Sequence, residues 1–137
     1  LLRNTAAVIN ADIKKVFSEV KPNTVKLDQL VDEAIKWKVE LDAENIGFAV
    51  ASRLYDMVDQ LAYKVDDLQH LDTLSHLLIK LNELKLKFRL WKIQNKYFRI
   101  GKDFIGNDKF MKSLGDQEYK KWLLKFKAVG EQLNIRF

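Results

Sequence analysis

Apolar residues recur at three- and four-residue steps through most of the chain, which is the one-sided pattern of amphipathic helices. The pattern predicts helices over about residues 4–19, 25–38, 43–64 and 68–83, another that ends near Gly101, and a last one over about 117–133. Short turns join most of these segments, and short turns favour antiparallel neighbours. We therefore predict an all-α fold, an antiparallel helical bundle of about six helices.

Two stretches depart from the helical period. From Leu84 to Leu90, apolar residues alternate with Lys and Arg, which is the pattern of a strand. Because no second strand is predicted to pair with it, we expect an extended linker that lies on the bundle. Residues 101–115 hold three of the five glycines and are expected to form a loose loop. We describe 1–137 as a single all-helical domain, with a bundle over 1–100 followed by the loose loop and last helix over 101–137.

Polar residues at the predicted helix starts are candidate N-caps, since a side-chain oxygen there accepts a backbone N–H of the first turn. The candidates are Asn23 or Thr24, Asp42, the Asp66–Asp67 pair and Asp116. Each of them would fix the start of one predicted helix.

The composition is that of an ordinary globular protein. Of the 137 residues, 47% are hydrophobic and 31% are charged, with one proline and no cysteine. The absence of cysteine excludes disulfides, thiolate metal sites and a cysteine nucleophile. No apolar run approaches the roughly 18 residues of a membrane span, so we expect no membrane partner. The absence of cysteine suits a reducing cytoplasm, which is the location we expect. The chain begins with Leu1 rather than Met, and we expect it to be a C-terminal fragment of a larger protein.

Positive charge is concentrated in the C-terminal part of the chain. Residues 1–79 carry a net charge of −4 and residues 80–137 a net charge of +9. Such asymmetry indicates either an anionic partner or a lysine-rich face in water, and we favour the second. Basic and aromatic residues are interleaved over 85–99, as in single-strand nucleic-acid platforms, but most of these rings fall at core spacing. Nucleic acid is therefore a disfavoured partner.

No set of residues forms a recognisable catalytic or metal site. His70 and His76 are six residues apart, so on one helix they point in different directions and cannot chelate one ion. The serines lack a nucleophile elbow, the paired carboxylates fall on helix faces expected in water, and the glycines form no phosphate loop. We predict no catalytic residue, no metal ligand and no cofactor, and therefore no enzyme in this chain on its own.

One short stretch combines an aromatic ring with two adjacent amides. Trp91, Gln94 and Asn95 lie within about one turn of a helix that also supplies Ile93 and Tyr97 to the core. Amides beside a tryptophan can hold a sugar or the backbone of a neighbouring domain. They can equally be buried amides that satisfy a loop such as 84–89, and the residues alone slightly favour this second interpretation.

The order of several motifs resembles a known family. The motifs are NADIKKVF at Asn10–Phe17, EAIKWKVELD at Glu33–Asp42, the helix Ile46–Leu61, VDDLQHL at Val65–Leu71 and, most specifically, LWKIQNKYF at Leu90–Phe98. Together they resemble the C-terminal helical region, a domain of unknown function, of uncharacterised bacterial proteins related to family-57 glycoside hydrolases of the α-amylase and α-mannosidase type. The resemblance covers about residues 1–100. It departs from the family at 86–88, where Leu-Lys-Phe stands in place of a turn that often contains proline.

The resemblance implies a non-catalytic role for this chain. In such proteins the catalytic carboxylates belong to an N-terminal barrel-like domain, and no position here matches them. The chain would be an accessory module that packs against that catalytic domain and borders its carbohydrate site, with Trp91, Gln94 and Asn95 contacting the domain or a glycan. The alternative is a stand-alone basic helical module that binds nucleic acid or another anionic partner. A steep loss of binding with added salt would mark the alternative.

Overall fold

The structure, a computed structural model, describes the backbone of residues 2–137 and the side chains of residues 5–137. Over the described range the chain forms seven helices and no strand, so the all-α prediction is confirmed. The helices are α1 Leu2–Ser18, α2 Thr24–Lys36, α3 Ala43–Tyr63, α4 Leu68–Glu83, α5 Trp91–Phe104, α6 Asp108–Leu114 and α7 Asp116–Gln132.

Most of the predicted caps are confirmed. Backbone N–H groups of the first turn donate to Asn23 at 3.0 Å in α2, to Asp42 at 3.3 Å in α3 and to Asp67 at 3.1 Å in α4. The prediction for Asp116 is wrong, because α7 begins at that residue and Gly115 precedes it with φ of +83°. Glycine adopts this left-handed backbone without the steric cost that a Cβ brings.

The loose loop predicted over 101–115 is also wrong, because most of it is helical. Helix α5 continues through Gly101 to Phe104, and α6 adds a seventh helix to the six predicted. Asn107 caps α6 by accepting a hydrogen bond from the N–H of Phe110 at 2.9 Å. A seven-residue helix has little stability by itself, but the ring of Phe110 packs edge-on to Trp122 at 4.8 Å. Tertiary packing therefore forms a helix that the local sequence does not predict.

Contacts between Cα atoms group the chain into two compact units. The first holds residues up to Leu54 together with Ile79–Arg89, and the second holds Tyr55–Leu78 together with Leu90–Phe137. The division passes through α3 and α4, so each of these helices contributes residues to both units. The prediction of a single domain stays a prediction.

The first unit has a largely aliphatic core that polar side chains clamp at its turns. Asn10 on α1 holds the connector before α3: its Nδ2 donates to the carbonyl of Glu40 at 3.0 Å, and its Oδ1 accepts from the N–H of Asp42 at 2.6 Å. Arg53 on α3 caps the end of α1 by donating to the carbonyls of Phe17 and Ser18 at 3.0 and 3.1 Å. The core residues are Ile9, Ile13, Val16, Phe17, Leu27, Leu30, Val31, Ala34, Ile46, Ala49, Val50, Leu54 and Leu81.

The extended linker after α4 is confirmed. From Leu84 to Arg89 the apolar side chains are half-buried and the basic ones are exposed, as the alternation predicted. The ring of Phe88 lies over Gly47 of α3, where a Cβ would come within 3.2 Å of the Cδ1 atom of the ring. Glycine at this position therefore lets the linker lie against the helix.

The second unit is built around aromatic rings. Trp122 of α7 is fully buried, packs on Phe126 at 4.9 Å between ring centroids, and donates from Nε1 to the carbonyl of Val65 at 2.8 Å. This bond fastens α7 to the turn between α3 and α4. The other buried residues of this unit are mainly aliphatic: Met57, Val58, Leu61, Val65, Leu71, Leu74, Leu77, Leu78, Ile93, Tyr97, Ile100, Tyr119, Val129 and Leu133.

Replacing this tryptophan tests how much the second unit depends on it. Trp122→Phe removes the donor to Val65 and leaves a cavity, so we expect the free energy of unfolding to fall by about 2–4 kcal/mol. Trp37→Phe is the matched control, because Trp37 is half exposed and should change stability by less than about 0.5 kcal/mol. Urea denaturation measures both, and equal losses in the two variants would contradict the assignment.

Candidate contact face on helix α5

The buried residues of helix α5 fix its rotation about its own axis. Ile93, Tyr97 and Ile100 point into the second unit. The ring of Tyr97 stacks on Phe126 of α7, with centroids 4.3 Å apart and planes 13° from parallel, and its hydroxyl donates to the carbonyl of Phe126 at 2.7 Å. Burial raises the pKa of this Tyr97 hydroxyl far above its usual range, which keeps it neutral and able to donate.

The opposite side of α5 carries a second set of large side chains. Trp91, Asn95, Phe98 and Lys102 follow one another at steps of four, three and four residues, so they share one stripe, which we name the α5 face. Trp91 is 59% exposed and Phe98 is 40% exposed. Within residues 5–137 the Asn95 side chain has no hydrogen-bond partner, and its amide is free to bind something else.

Lysines accompany both rings of this face. The Nζ of Lys92 lies 5.6 Å from the ring centroid of Trp91, and the Nζ of Lys102 lies 5.3 Å from that of Phe98. A cation over an exposed ring is worth about 0.5–1 kcal/mol, which is too little to bury either ring. The face thus combines apolar surface with positive charge in water.

Gln94 takes a different role from its two predicted companions. It lies on the flank of α5 towards α7, and its Nε2 donates to the carbonyl of Leu133, the C-cap residue of α7, at 2.7 Å. Sequence reasoning offered an amide that satisfies backbone as one of two interpretations. Gln94 does this, although the backbone it binds is the end of α7 and not the loop 84–89. A contact role for Trp91, Gln94 and Asn95 stays a prediction.

An aromatic ring extends the α5 face at one edge. The ring of Phe137 lies parallel to Phe98, at 6.0 Å between centroids and 10° between planes. It occupies a slot formed by two helical glycines: a Cβ at Gly101 would overlap it, and one at Gly130 would come within 2.9 Å. The sequence pattern predicts a helix end near Gly101 and gives no role to Phe137. In the sequence, Gly101 and Gly130 inside amphipathic helices are the feature that could have indicated a ring packed between the two helices.

A groove adjoins this ring. It has a volume of about 740 Å³ and is lined by Lys127, Glu131, Asn134, Ile135, Arg136 and Phe137. Because Phe137 also lies against Phe98, the groove and the α5 face share one aromatic border. A volume of this order is within the range of ligand pockets in proteins, about 300–1,000 Å³.

The charge asymmetry of the sequence is much reduced within the second unit. Residues 55–78 supply five Asp and one Lys, and residues 90–137 supply eleven Lys or Arg and five Asp or Glu, so the unit carries +2. Lys96 pairs with Asp59, and the pKa of Lys96 is raised chiefly by that hydrogen bond. Lys125 pairs with Asp72 at 2.6 Å. Two of the eleven basic residues at 90–137 therefore pair with acids of the α3–α4 region.

The histidines and carboxylates of the described side chains do not converge. Among residues 5–137 no three His, Asp or Glu side chains are grouped so that they could hold a metal ion. Nε2 of His70 donates instead to the carbonyl of Met57 at 2.6 Å. In the described part of the chain, none of the helices has the length and apolar character needed to cross a bilayer. What the α5 face can offer is non-covalent contact through two rings, an amide and cations.

Comparison with known proteins gives no relative to place beside this geometry. No protein-family model, no curated protein and no solved structure matches the chain. The resemblance to the helical region of family-57-related proteins is therefore carried by the quoted motifs alone.

The different roles of the two amides can be separated by mutation. Gln94→Ala leaves the carbonyl of Leu133 without its donor, so we expect a loss of about 1 kcal/mol in the free energy of unfolding. Asn95→Ala is the adjacent control and should stay within about 0.5 kcal/mol, because its side chain is exposed. Chemical denaturation of the two variants checks this, and a larger loss for Asn95→Ala would reverse the assignment.

Proposed function

We propose that this chain is a non-catalytic helical module that docks onto a larger protein through the α5 face. The observation that carries the proposal is the pair of exposed rings, Trp91 and Phe98, on the side of α5 opposite to its buried residues. Single exposed apolar residues are normal on a protein surface, so the proposal depends on the two rings sharing one stripe of α5, two turns apart. Tryptophan is moreover the residue type most enriched among the energetic centres of interfaces.

The proposed larger protein is a bacterial, glycoside-hydrolase-like enzyme with an N-terminal catalytic domain. The motifs at Asn10–Phe17, Glu33–Asp42 and Leu90–Phe98 support this part of the proposal, and the last of them contains Trp91 itself. In this role the module lies beside the catalytic domain and borders its carbohydrate site. The exposed amide of Asn95 next to Trp91 suits a hydroxyl of a glycan as well as a backbone group of the domain.

The alternative, a basic module that binds nucleic acid, receives less support. Of the four rings at 85–99, only Tyr97 is fully buried and unavailable for stacking on bases, so the prediction that most of these rings lie in the core is wrong. The net charge of the second unit is only +2, which limits its long-range attraction for the phosphates of a long strand. Trp91 and Phe98 remain as exposed rings, and a salt titration of oligonucleotide binding distinguishes the two functions.

Removing the exposed tryptophan tests the docking proposal. The native reading frame is expected to encode an upstream domain, which can be produced separately and titrated with this chain. Trp91→Ala should weaken that association by about 30-fold, the effect of losing one central aromatic contact of about 2 kcal/mol. Calorimetry measures the affinity, and binding of α-linked glucan and mannan oligosaccharides to the complex tests the neighbouring carbohydrate site.

Trp37→Ala is the matched control for this experiment. Trp37 is 51% exposed, close to Trp91, but belongs to the end of α2 in the first unit. It should leave the affinity unchanged. A reading frame without an upstream domain, or equal effects of the two substitutions in folded protein, would contradict the proposal.

A further inference from the structure

The α5 face and the groove beside Phe137 form one continuous surface with two kinds of chemistry. Its apolar part consists of Trp91, Phe98, Phe137 and Ile135. Phe98 and Phe137 lie parallel at 6.0 Å, so these two rings join the α5 face to the groove. A partner that covers Trp91 and Phe98 therefore also reaches the groove.

Cations border this strip on both helices. Lys92 and Lys102 lie beside the two rings of α5, and Lys127 and Arg136 line the groove. Among the side chains of residues 5–137, none of these four forms an ion pair with a carboxylate, in contrast to Lys96 and Lys125. Glu131 is the one acid in the groove lining, so the four cations remain in excess. Charge complementarity favours an anionic partner, and carboxylates are the anionic groups that a protein partner supplies.

The spacing of the two rings indicates the form of that partner. Trp91 and Phe98 are seven residues apart on a helix, which is a separation of about 10.5 Å along its axis. Apolar residues two turns apart on a second helix have the same separation, and an amphipathic helix laid on an apolar strip is a common mode of recognition.

We infer that the α5 face and its groove bind an amphipathic helix that flanks its apolar residues with Asp and Glu. The inference rests on the proposed docking function and specifies the chemistry of the partner at that surface. The apolar residues of the partner contact Trp91 and Phe98, and its carboxylates lie near Lys92, Lys102, Lys127 and Arg136. The contact has apolar and ionic parts, so it weakens with salt without vanishing.

Three synthetic helical peptides test this inference on the 137-residue chain. They share leucines at three- and four-residue steps and differ only in their polar positions, which are Glu, Gln or Lys. We expect fluorescence anisotropy to show the Glu peptide binding about tenfold more tightly than the Gln peptide at low salt, and the Lys peptide binding least. A labelled 20-nucleotide single strand is titrated in parallel.

Two double variants locate the binding. Lys127→Ala with Arg136→Ala should weaken the Glu peptide about fivefold, the combined effect of two exposed ion pairs. Lys109→Ala with Lys112→Ala removes the same charge from α6, whose Phe110 packs on Trp122, and should change the affinity less than twofold. Equal effects of the two double variants would show general attraction to the basic chain and overturn the inference.

The remaining outcomes are also decisive. Three results would each overturn the inference that the partner is an acidic helix. They are equal binding of the Glu and Gln peptides, no binding of any peptide, and tighter binding of the oligonucleotide than of the Glu peptide. None of these results would change the effect that Trp91→Ala has on the affinity for the upstream domain, which is measured separately. Failure of the acidic-helix inference is therefore distinguishable from failure of the docking function.

Discussion

The rotation of α5 about its own axis is the constraint on which the candidate surface depends. Tyr97 sets it, because its ring stacks on Phe126 and its hydroxyl donates to the carbonyl of the same residue. Gln94 and Gly101 contact the end of α7 on the adjoining flank, through the carbonyl of Leu133 and the ring of Phe137. With about 100° between successive residues, these contacts leave Trp91, Asn95 and Phe98 on the far side.

This arrangement gives α5 one buried apolar side and places two exposed rings, Trp91 and Phe98, among the polar residues of its other side. Its buried side is neutral and well satisfied by hydrogen bonds, and no polar side-chain atom among the described residues is buried without a partner. Its exposed side holds two rings with lysines beside them. The buried side has its polar groups hydrogen-bonded, whereas the exposed side carries two rings in water. This contrast is the physical basis for proposing a docking module.

Local signals predicted much of the fold, because periodicity and capping are properties of neighbouring residues. The ranges of α1 to α4 follow from spacing, and Asn23 and Asp67 mark two helix starts as predicted. The predictions that were wrong depend on contacts between residues far apart in the chain. Helix α6 is stabilised by the contact of Phe110 with Trp122, and at Gly101 of α5 the ring of Phe137 fills the space that a side chain would take.

The candidate site was predictable only in part. The stretch around Trp91 stands out in the sequence, but the sequence does not show which of Trp91, Gln94 and Asn95 contacts the rest of the fold. Gln94 and Asn95 are adjacent, and only the position of the α7 end decides that one binds backbone and the other faces water. The charge asymmetry along the sequence likewise does not show which charges meet in the folded chain, where Lys96 pairs with Asp59 and Lys125 with Asp72.

Hydroxyl-radical footprinting of the 137-residue chain shows whether Trp91 faces water, because the three tryptophans lie in three environments. Trp122 is fully buried, Trp37 is half exposed, and Trp91 lies on the proposed face with 59% of its surface in water. We expect Trp91 to be oxidised at a rate close to that of Trp37 and far faster than Trp122. A Trp91 as protected as Trp122 would mean that α5 has the opposite rotation, and the docking surface would not exist.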